Sequence, residues 1–314
     1  MKANHKKLIV MLLLVCTLTG CTTYLKTDKN KNVQNPYTGQ NLTSNILCQP
    51  EEGDTKSSKE TLKLYEKYKK DLKELPKCSE FNVTSGGYEG IWTTIFVKPL
   101  AWVIIKLGEL FGNYGIAIIA TTLLIRLITI SFTKKTAMQS ENLKLARPEL
   151  DRLEKKYRNK QDQESLMRKN QEILGIYKKY NINPMSGCLF SLIQIPLFFA
   201  FYEAMNRLPV IFEEVLFGFH LGTNPLSALG HGQYIYIITV VLVIAASYFS
   251  MRLNSGAAMS GEQANQMKMM SNMMVIFIGI ASLSLSTGIA LYWIVNNTFT
   301  IIQNLVVKRR KQKC

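Results

Sequence analysis

A long apolar run with one arginine inside it limits what this chain can fold into more than any other feature. Residues 114–132 read YGIAIIATTLLIRLITISF, and Arg126 is the charged residue among them. About 20 residues at about 1.5 Å each cover the ~30 Å hydrocarbon core of a bilayer, so the run predicts a membrane span. A guanidinium there costs roughly 2.5–3.5 kcal/mol. Arg126 is therefore expected either to face a polar cavity or to extend toward the cytoplasmic edge.

Four further apolar runs are expected to form membrane spans. They are predicted at about 185–205, 234–253, 269–283 and 289–307. Pro196 is expected to kink the first of these, because proline removes a helical hydrogen bond. The fold class predicted from the sequence is an all-α polytopic membrane protein with five transmembrane helices in a core at 112–307.

The N-terminus has the pattern of a bacterial export signal. A basic start, MKANHKK, precedes the apolar stretch 8–18, which is too short for a span. The residues LTGC that end at Cys21 resemble a lipoprotein lipobox, in which cleavage precedes the cysteine and its thiol takes a diacylglycerol. Residues 1–20 are thus expected to be a cleaved signal peptide and Cys21 the lipidation site. The alternative is a generic signal peptide with a chance cysteine.

Basic residues orient the predicted spans. The hydrophilic block 134–183 and the tail 308–314 are rich in Lys and Arg, whereas the loop 207–233 has one Arg against two Glu. Because basic flanking segments stay inside, the block and the tail are expected in the cytoplasm and the loop outside. This agrees with an outer, lipidated N-terminus in the plasma membrane. It also explains the net charge of +16 without a specific nucleic-acid partner.

Two segments beside the spans are expected to be helical. Charges alternating with leucines in 134–183 predict two antiparallel helices, that is, a cytoplasmic hairpin. Residues 91–111 carry Lys98 and Lys106 among aromatic and aliphatic residues, which is typical of an interfacial amphipathic helix. A true span is the alternative, and the two lysines with Pro99 disfavour it.

The outer segment 21–90 is polar. Residues 27–55 have few apolar side chains and are expected to form a tether, followed by a modest amphipathic helix at 59–73. Cys48 and Cys78 lie in this exported part, where the oxidising exterior permits a disulfide; two free thiols are the alternative. The three histidines lie far apart and no Cys-x-x-Cys occurs, so neither a metal site nor a cofactor is expected.

Polar side chains recur inside three of the predicted spans. Since amides in hydrocarbon need hydrogen-bond partners, these groups are expected to face one another or water. Together they predict a wet cavity. They are Thr121, Thr122, Arg126 and Ser131 in the first span, Gln194 in the second, and Tyr292, Trp293, Asn296, Asn297, Thr298 and Gln303 in the fifth.

Several short motifs occur in an order and spacing that resemble the YidC-type membrane protein insertase family. They are NYG at 113–115 before Arg126, NPMSGC at 183–188, QIP at 194–196, GIALYW at 288–293 before Asn297, and IIQ at 301–303. The resemblance covers about residues 88–310. The lipobox and the lack of a large outer domain resemble the five-span lipoprotein form from Gram-positive bacteria. Residues 22–90 depart from the family core.

The resemblance implies an insertase and chaperone for newly made membrane proteins, and no enzyme. A groove open to cytoplasm and lipid would receive the hydrophilic outer tail of a substrate. The expected partners are nascent membrane proteins, the lipid bilayer, the ribosome and the Sec translocon. The residues expected to line the groove are Arg126, Thr122, Gln194, Tyr292, Trp293 and Asn297.

A small transporter or channel with Arg126 as an intramembrane anion site is the competing hypothesis. Such proteins usually carry internal repeats. The first span shows no repeat relation to the later ones, which favours the insertase.

Overall fold

The computed structural model describes residues 22–160, 162–183, 186–255 and 261–312. The signal peptide and Cys21 lie outside the described residues. Within them the chain is mostly helical, with one small antiparallel hairpin of two strands. The chain divides into two compact units. The first takes residues up to Thr122, Ile193–Val240 and Ser282–Tyr292; the second takes Leu123–Leu192, Val241–Ala281 and the chain from Trp293.

The regular elements follow one another with short connections. The α-helices of four or more residues are α1 (Lys56–Tyr68), α2 (Lys98–Phe111), α3 (Tyr114–Ile128), α4 (Ile130–Tyr157), α5 (Gln163–Lys179), α6 (Ser186–Asn206), α7 (Pro209–Phe212), α8 (Pro225–Gly230), α9 (Ile237–Ser255), α10 (Gly261–Ser282) and α11 (Thr287–Gln312). The strands are β1 (Val215–Leu216) and β2 (Phe219–His220). A helical turn at Gly90–Trp92 and a π-helical turn at Thr93–Val97 lead into α2, and 3₁₀ turns occupy Leu72–Glu74, Cys78–Glu80 and Tyr234–Tyr236.

The predicted spans are helical over most of the residues that the structure describes. Tyr234–Leu253 is the one helix of the described chain that is long and apolar enough by itself to cross a membrane. Helices α3 and α4 pass that test as a pair, with a 70° bend between them. The first predicted span is thus not one straight helix. The bend falls at Thr129, whose hydroxyl donates to the Ile125 carbonyl oxygen at 2.8 Å, a contact that often bends helices.

The hydrophilic block forms the two helices that its charge pattern predicted. In the second unit, α4 and α5 are linked by ion pairs of Lys156 with Glu172 at 2.7 Å and of Lys179 with Glu149 at 2.5 Å. The Asp162 side chain caps α5 by accepting from the Ser165 amide at 2.8 Å. Because the first pair lies near the connection and the second far from it, the helices are antiparallel.

The N-terminal segment (residues 22–90) differs from the predicted tether, because it is folded. Six of its apolar side chains form one buried cluster, which also includes Phe212. Buried polar groups are satisfied internally: the Asn35 amide donates to Thr61 at 2.8 Å, and the Tyr65 hydroxyl donates to the Thr43 carbonyl at 2.8 Å. A disulfide joins Cys48 to Cys78. The segment members of the cluster are Leu25, Val33, Leu42, Ile46, Tyr65 and Leu72.

Arg207 fastens the N-terminal segment to the end of α6. Its buried guanidinium donates to the Asn45 carbonyl oxygen at 2.6 Å and pairs with Glu89 and Glu203. Its own carbonyl accepts from the Leu47 amide at 2.9 Å. Burial raises the pKa of the Glu89 carboxyl, but hydrogen bonds and charge from Arg207 and Lys98 outweigh it and leave that pKa below its ordinary value.

A second buried cation fastens the N-terminal segment to α2. Lys98 is fully buried, and its ammonium donates to the carbonyl oxygens of Ser85 and Gly87 at 2.7 Å each. Glu89 lies 3.0 Å from the same ammonium. Gly86 and Gly87 both have positive φ, which lets the main chain turn around Lys98 without a steric penalty. Lysines are almost never fully buried unless paired in this way.

Candidate functional site

Arg126 lies in the last turn of α3, within the second unit, and is 3% exposed. Its Nε donates to the side-chain oxygen of Asn296 at 2.7 Å, and Nη2 donates to the Asn296 carbonyl at 3.2 Å and to the Thr300 hydroxyl at 3.1 Å. The guanidinium carbon also lies 5.8 Å from the centre of the Phe299 ring. The side chain is therefore held against the body of α11.

The partners of Arg126 belong to a polar face of α11. Asn296, Thr300 and Asn304 are spaced by four residues, which places them on one side of a helix, and all three are buried. Further along, the Gln303 amide donates to the Thr133 hydroxyl of α4 at 2.8 Å. We refer to Arg126, Thr133, Asn296, Thr300 and Gln303 as the polar seam. It joins the α3–α4 chain to α11 inside the second unit.

The polar seam holds a fixed positive charge. An arginine has five N–H donors and no acceptor, and the three acceptors named above are neutral oxygens. They satisfy N–H groups and fix the plane of the guanidinium. Such a group can bind a carboxylate through hydrogen bonds and charge together. Within the described residues, no group of three His, Cys, Asp or Glu side chains could hold a metal ion.

Trp293 and Asn297 also lie in the second unit, at the beginning of its part of α11. The Trp293 indole Nε1 donates to the Ser247 hydroxyl of α9 at 2.8 Å. The Asn297 amide donates to the Trp293 carbonyl at 2.9 Å, within its own helix. Trp293 therefore links two helices, whereas Asn297 has its amide turned along α11.

Thr122, Gln194 and Tyr292 belong to the first unit. The Thr122 hydroxyl donates to the Ile118 carbonyl at 2.7 Å and is buried. The Gln194 amide donates to the Tyr292 hydroxyl at 3.2 Å, and the Tyr292 ring stacks on Phe201 with centroids 4.5 Å apart. The structure thus pairs Gln194 with Tyr292 and places Thr122 in a helix-internal contact.

Two partners of Arg126 were not among the residues expected to line a groove. Asn296 is among the polar residues of the fifth predicted span but not among the predicted groove residues, and Thr300 belongs to neither set. The four-residue repeat of Asn296, Thr300 and Asn304 is the signal that identifies this face. Thr121 is a further buried polar residue, and its hydroxyl has no hydrogen-bond partner among the described residues.

Comparison with known proteins gives consistent matches. The family described as 60Kd inner membrane protein matches residues 106–313. The membrane protein insertase YidC of Oceanobacillus iheyensis is 32% identical over 239 residues, which are 75% of this chain and 91% of that protein. The membrane protein insertase YidC 2 of Bacillus anthracis is 35% identical over 236 residues, which are 74% of this chain and 87% of that protein.

A solved structure supports the same relationship. A crystal structure of an active YidC insertase with its first transmembrane domain resolved superposes with a TM-score of 0.50 and 25% identity. The superposition covers 71% of this chain and 48% of the solved chain. The family match includes the whole polar seam and begins after the N-terminal segment. The chain therefore belongs to the 60Kd inner membrane protein family, together with the YidC membrane protein insertases.

Proposed function

We propose that this chain inserts newly made proteins into the plasma membrane, with Arg126 as the charge that receives the hydrophilic part of the substrate. The observation that carries this proposal is a guanidinium that is 3% exposed and fixed by neutral oxygens of α11. Family membership and relatives named as membrane protein insertases support the insertase activity.

The polar seam suits attraction of an acidic segment. Two unit charges about 4 Å apart attract by about 1 kcal/mol in water and about 4 kcal/mol at an effective dielectric constant of ~20. Because Arg126 is already oriented, little side-chain entropy is lost when a carboxylate approaches. In our proposal the acidic outer tail of a substrate approaches Arg126 and is then released outward. Gln194, Tyr292, Thr122, Trp293 and Asn297 complete the proposed groove.

Hydrophobic partitioning would supply the work of insertion. Each CH₂ group that moves from water into lipid contributes about 0.8 kcal/mol, and the membrane potential adds about 2.3 kcal/mol per charge per 100 mV. The described part of α10 exposes apolar side chains, including Met269, Met273 and Phe277, that could contact lipid or a passing helix. No nucleotide hydrolysis is needed in this scheme.

The proposed topology has five spans, with the N-terminus outside and the α4–α5 hairpin and basic tail in the cytoplasm. The apolar Tyr234–Leu253 helix and the α3–α4 pair support two of these spans. The segment leading through α2 is proposed to lie in the outer interface, since it exposes Ile95, Trp102 and Leu110 while Lys98 is buried. The tail is proposed to contact the ribosome, and the Sec translocon remains a proposed partner.

The deciding experiment compares three arginine variants in proteoliposomes that contain purified protein and no translocon. Arg126→Ala is expected to lose insertion of single-span substrates with acidic outer tails, and Arg126→Lys to retain most of it. Arg252→Ala is the matched control, because Arg252 lies in an apolar helix but is exposed and contacts Tyr248 of its own helix. Equal activity of Arg126→Ala and wild type would remove the arginine from the mechanism. Uptake of a labelled anion by the protein alone would instead favour a transporter.

A further inference from the structure

The β1–β2 hairpin of the loop 207–233 presents a phenylalanine at its tip. Val215 pairs with His220 and Leu216 with Phe219, so Phe217 and Gly218 form a two-residue turn. Both have positive φ, 52° and 84°. This is the geometry of a type I′ turn, whose first position normally holds Asn, Asp or Gly. Phe217 is therefore an unusual residue for its backbone conformation.

Phe217 is unfavourable here for two separate reasons. A bulky side chain in the left-handed region costs folding free energy, because its Cβ crowds the main chain. In addition, its ring is 85% exposed, so water contacts nearly all of it. An asparagine at the same position would remove both penalties. A contact outside the chain would account for keeping an aromatic ring there.

The hairpin is fixed to the outer ends of two predicted spans. On one side, the Asn113 amide before α3 donates to Glu214 at 2.9 Å, and Leu216 lies so close to Gly115 that a Cβ there would come within 2.9 Å of it. On the other side, the His220 amide donates to the Tyr236 hydroxyl at 2.9 Å. The Phe219 ring meets that of Tyr236 edge-on at 5.3 Å. The tip cannot move far from these helix ends.

Exposed apolar side chains continue from these helix ends down the span. Tyr234 is 69% exposed, and Ile235, Ile237 and Ile238 are exposed after it. In the helix Tyr234–Leu253 these residues begin the face that meets lipid if the helix crosses the bilayer. Tyrosine at such a position is typical of the membrane–water interface.

We propose that Phe217 is a membrane anchor whose ring enters the interfacial layer of the outer leaflet. This rests on the proposed span at Tyr234–Leu253 and on the outer position of the loop. The occupant is lipid, because the hairpin is held beside the outer end of a lipid-facing helix surface. The anchor would hold the ends of α3 and α9 at a fixed depth.

The first test measures the depth of the tip in nanodiscs of the full chain. Phe217→Trp adds a tryptophan, and subtracting the wild-type spectrum isolates its fluorescence. We expect strong quenching by phospholipids brominated near the carbonyl groups and weaker quenching by those brominated near the chain ends. Tyr37→Trp is the control, since Tyr37 is also exposed but lies in the N-terminal segment. Equal quenching of the two variants would overturn the proposal.

The second test separates backbone strain from anchoring. Phe217→Asn tolerates the left-handed conformation, so its melting temperature in detergent is expected to rise by about 2–4 °C. In nanodiscs, a photoactivatable phospholipid should label residues 214–220 of the wild type and lose that labelling in Phe217→Asn. Unchanged labelling would contradict a lipid anchor. Neither the melting temperature nor the labelling depends on insertion activity, so both test the anchor independently of the proposed role of Arg126.

Discussion

Arg126 donates twice to Asn296, from Nε to the side-chain oxygen at 2.7 Å and from Nη2 to the carbonyl oxygen at 3.2 Å. One residue of α11 therefore sets both the position and the plane of the guanidinium. Because Asn296 is neutral, it orients the charge without pairing with it. Substitution of Asn296 by aspartate therefore places a negative charge beside Arg126 with almost no change in the size of the side chain.

Asn296→Asp should impair insertion of substrates with acidic tails while leaving the fold intact. Aspartate keeps the shape and the acceptor for Arg126 Nε, but it adds a carboxylate beside the guanidinium and cancels its attraction. A loss of about 1.4 kcal/mol of attraction, between the ~1 kcal/mol of water and the ~4 kcal/mol of an effective dielectric constant of ~20, lowers the insertion rate about tenfold. In vitro insertion with acidic and neutral tails measures the effect.

Asn170→Asp is the control for that experiment. It introduces the same charge at an exposed position of α5, which belongs neither to the polar seam nor to the proposed groove. If both aspartate variants impaired acidic and neutral substrates to the same extent, the loss would reflect folding. The proposed electrostatic role of the seam would then be wrong.

The sequence predicts the positions of the helices better than it predicts which side chains contact one another. Apolar runs and alternating charges identify all the long helices, since hydrophobic burial and helix periodicity are local properties. The bend at Thr129 coincides with a hydroxyl contact to the main chain, and the pairing of Arg126 with Asn296 and Thr300 depends on which face of α11 is buried. Neither follows from composition, although the four-residue spacing on α11 points to the correct face.

The N-terminal segment shows where composition misleads. Its apolar residues are few, so its composition predicts a tether. In the structure, however, Leu42 and Tyr65 belong to one buried apolar cluster. Buried hydrogen bonds, such as those of Asn35, and the Cys48–Cys78 bond make up for the small core. Small domains often need such additional links. A low apolar content therefore does not by itself indicate disorder.

Glu89→Gln should remove an acid-dependent part of the docking of the N-terminal segment. The pKa of Glu89 is below its ordinary value of 4.5 because Arg207 and Lys98 together outweigh the effect of burial. A carboxyl with a lowered folded-state pKa contributes stability that is present above the unfolded value. That contribution is lost as the pH falls through the folded value.

The measurement is the rate of limited proteolysis of residues 22–90 as a function of pH. The wild type should be more resistant than Glu89→Gln at neutral pH, and the two should converge as the pH falls below 4.5. Glu80→Gln, which changes an exposed carboxyl of the same segment, should follow the wild type. Parallel curves for wild type and Glu89→Gln would show that the ion pairs do not control docking.

Lys98→Met should destabilise the first unit much more than Lys106→Met. Methionine keeps most of the length of the side chain, but it leaves two carbonyl oxygens without their donor and leaves Glu89 with Arg207 as its ion-pair partner. Removing one partner of a buried ion pair costs about 3–5 kcal/mol, and the partial exposure of Glu89 places the expected loss at about 3 kcal/mol.

Lys106 provides the matched control on the same helix. It also contacts a carbonyl, that of Ser79 at 3.2 Å, and a carboxylate, that of Glu109 at 2.8 Å, but it is partly exposed. Exposed pairs contribute about 0–1 kcal/mol. Thermal unfolding of both variants in detergent tests the difference, and equal losses would contradict a special role for the buried ammonium.

Reduction of the Cys48–Cys78 disulfide should loosen the N-terminal segment without abolishing insertion. The bond closes a loop with a sequence separation of 30, for which the chain-entropy model gives a stabilisation of about 3–4 kcal/mol. The segment is also held by Arg207 and Lys98, so we expect faster proteolysis of residues 22–90 but continued docking. A Cys48→Ser, Cys78→Ser double variant should match the reduced wild type and show no further response to reductant. If reductant accelerated proteolysis of that variant as well, another thiol would be responsible, and if neither treatment changed proteolysis, the small core would be stable without the bond.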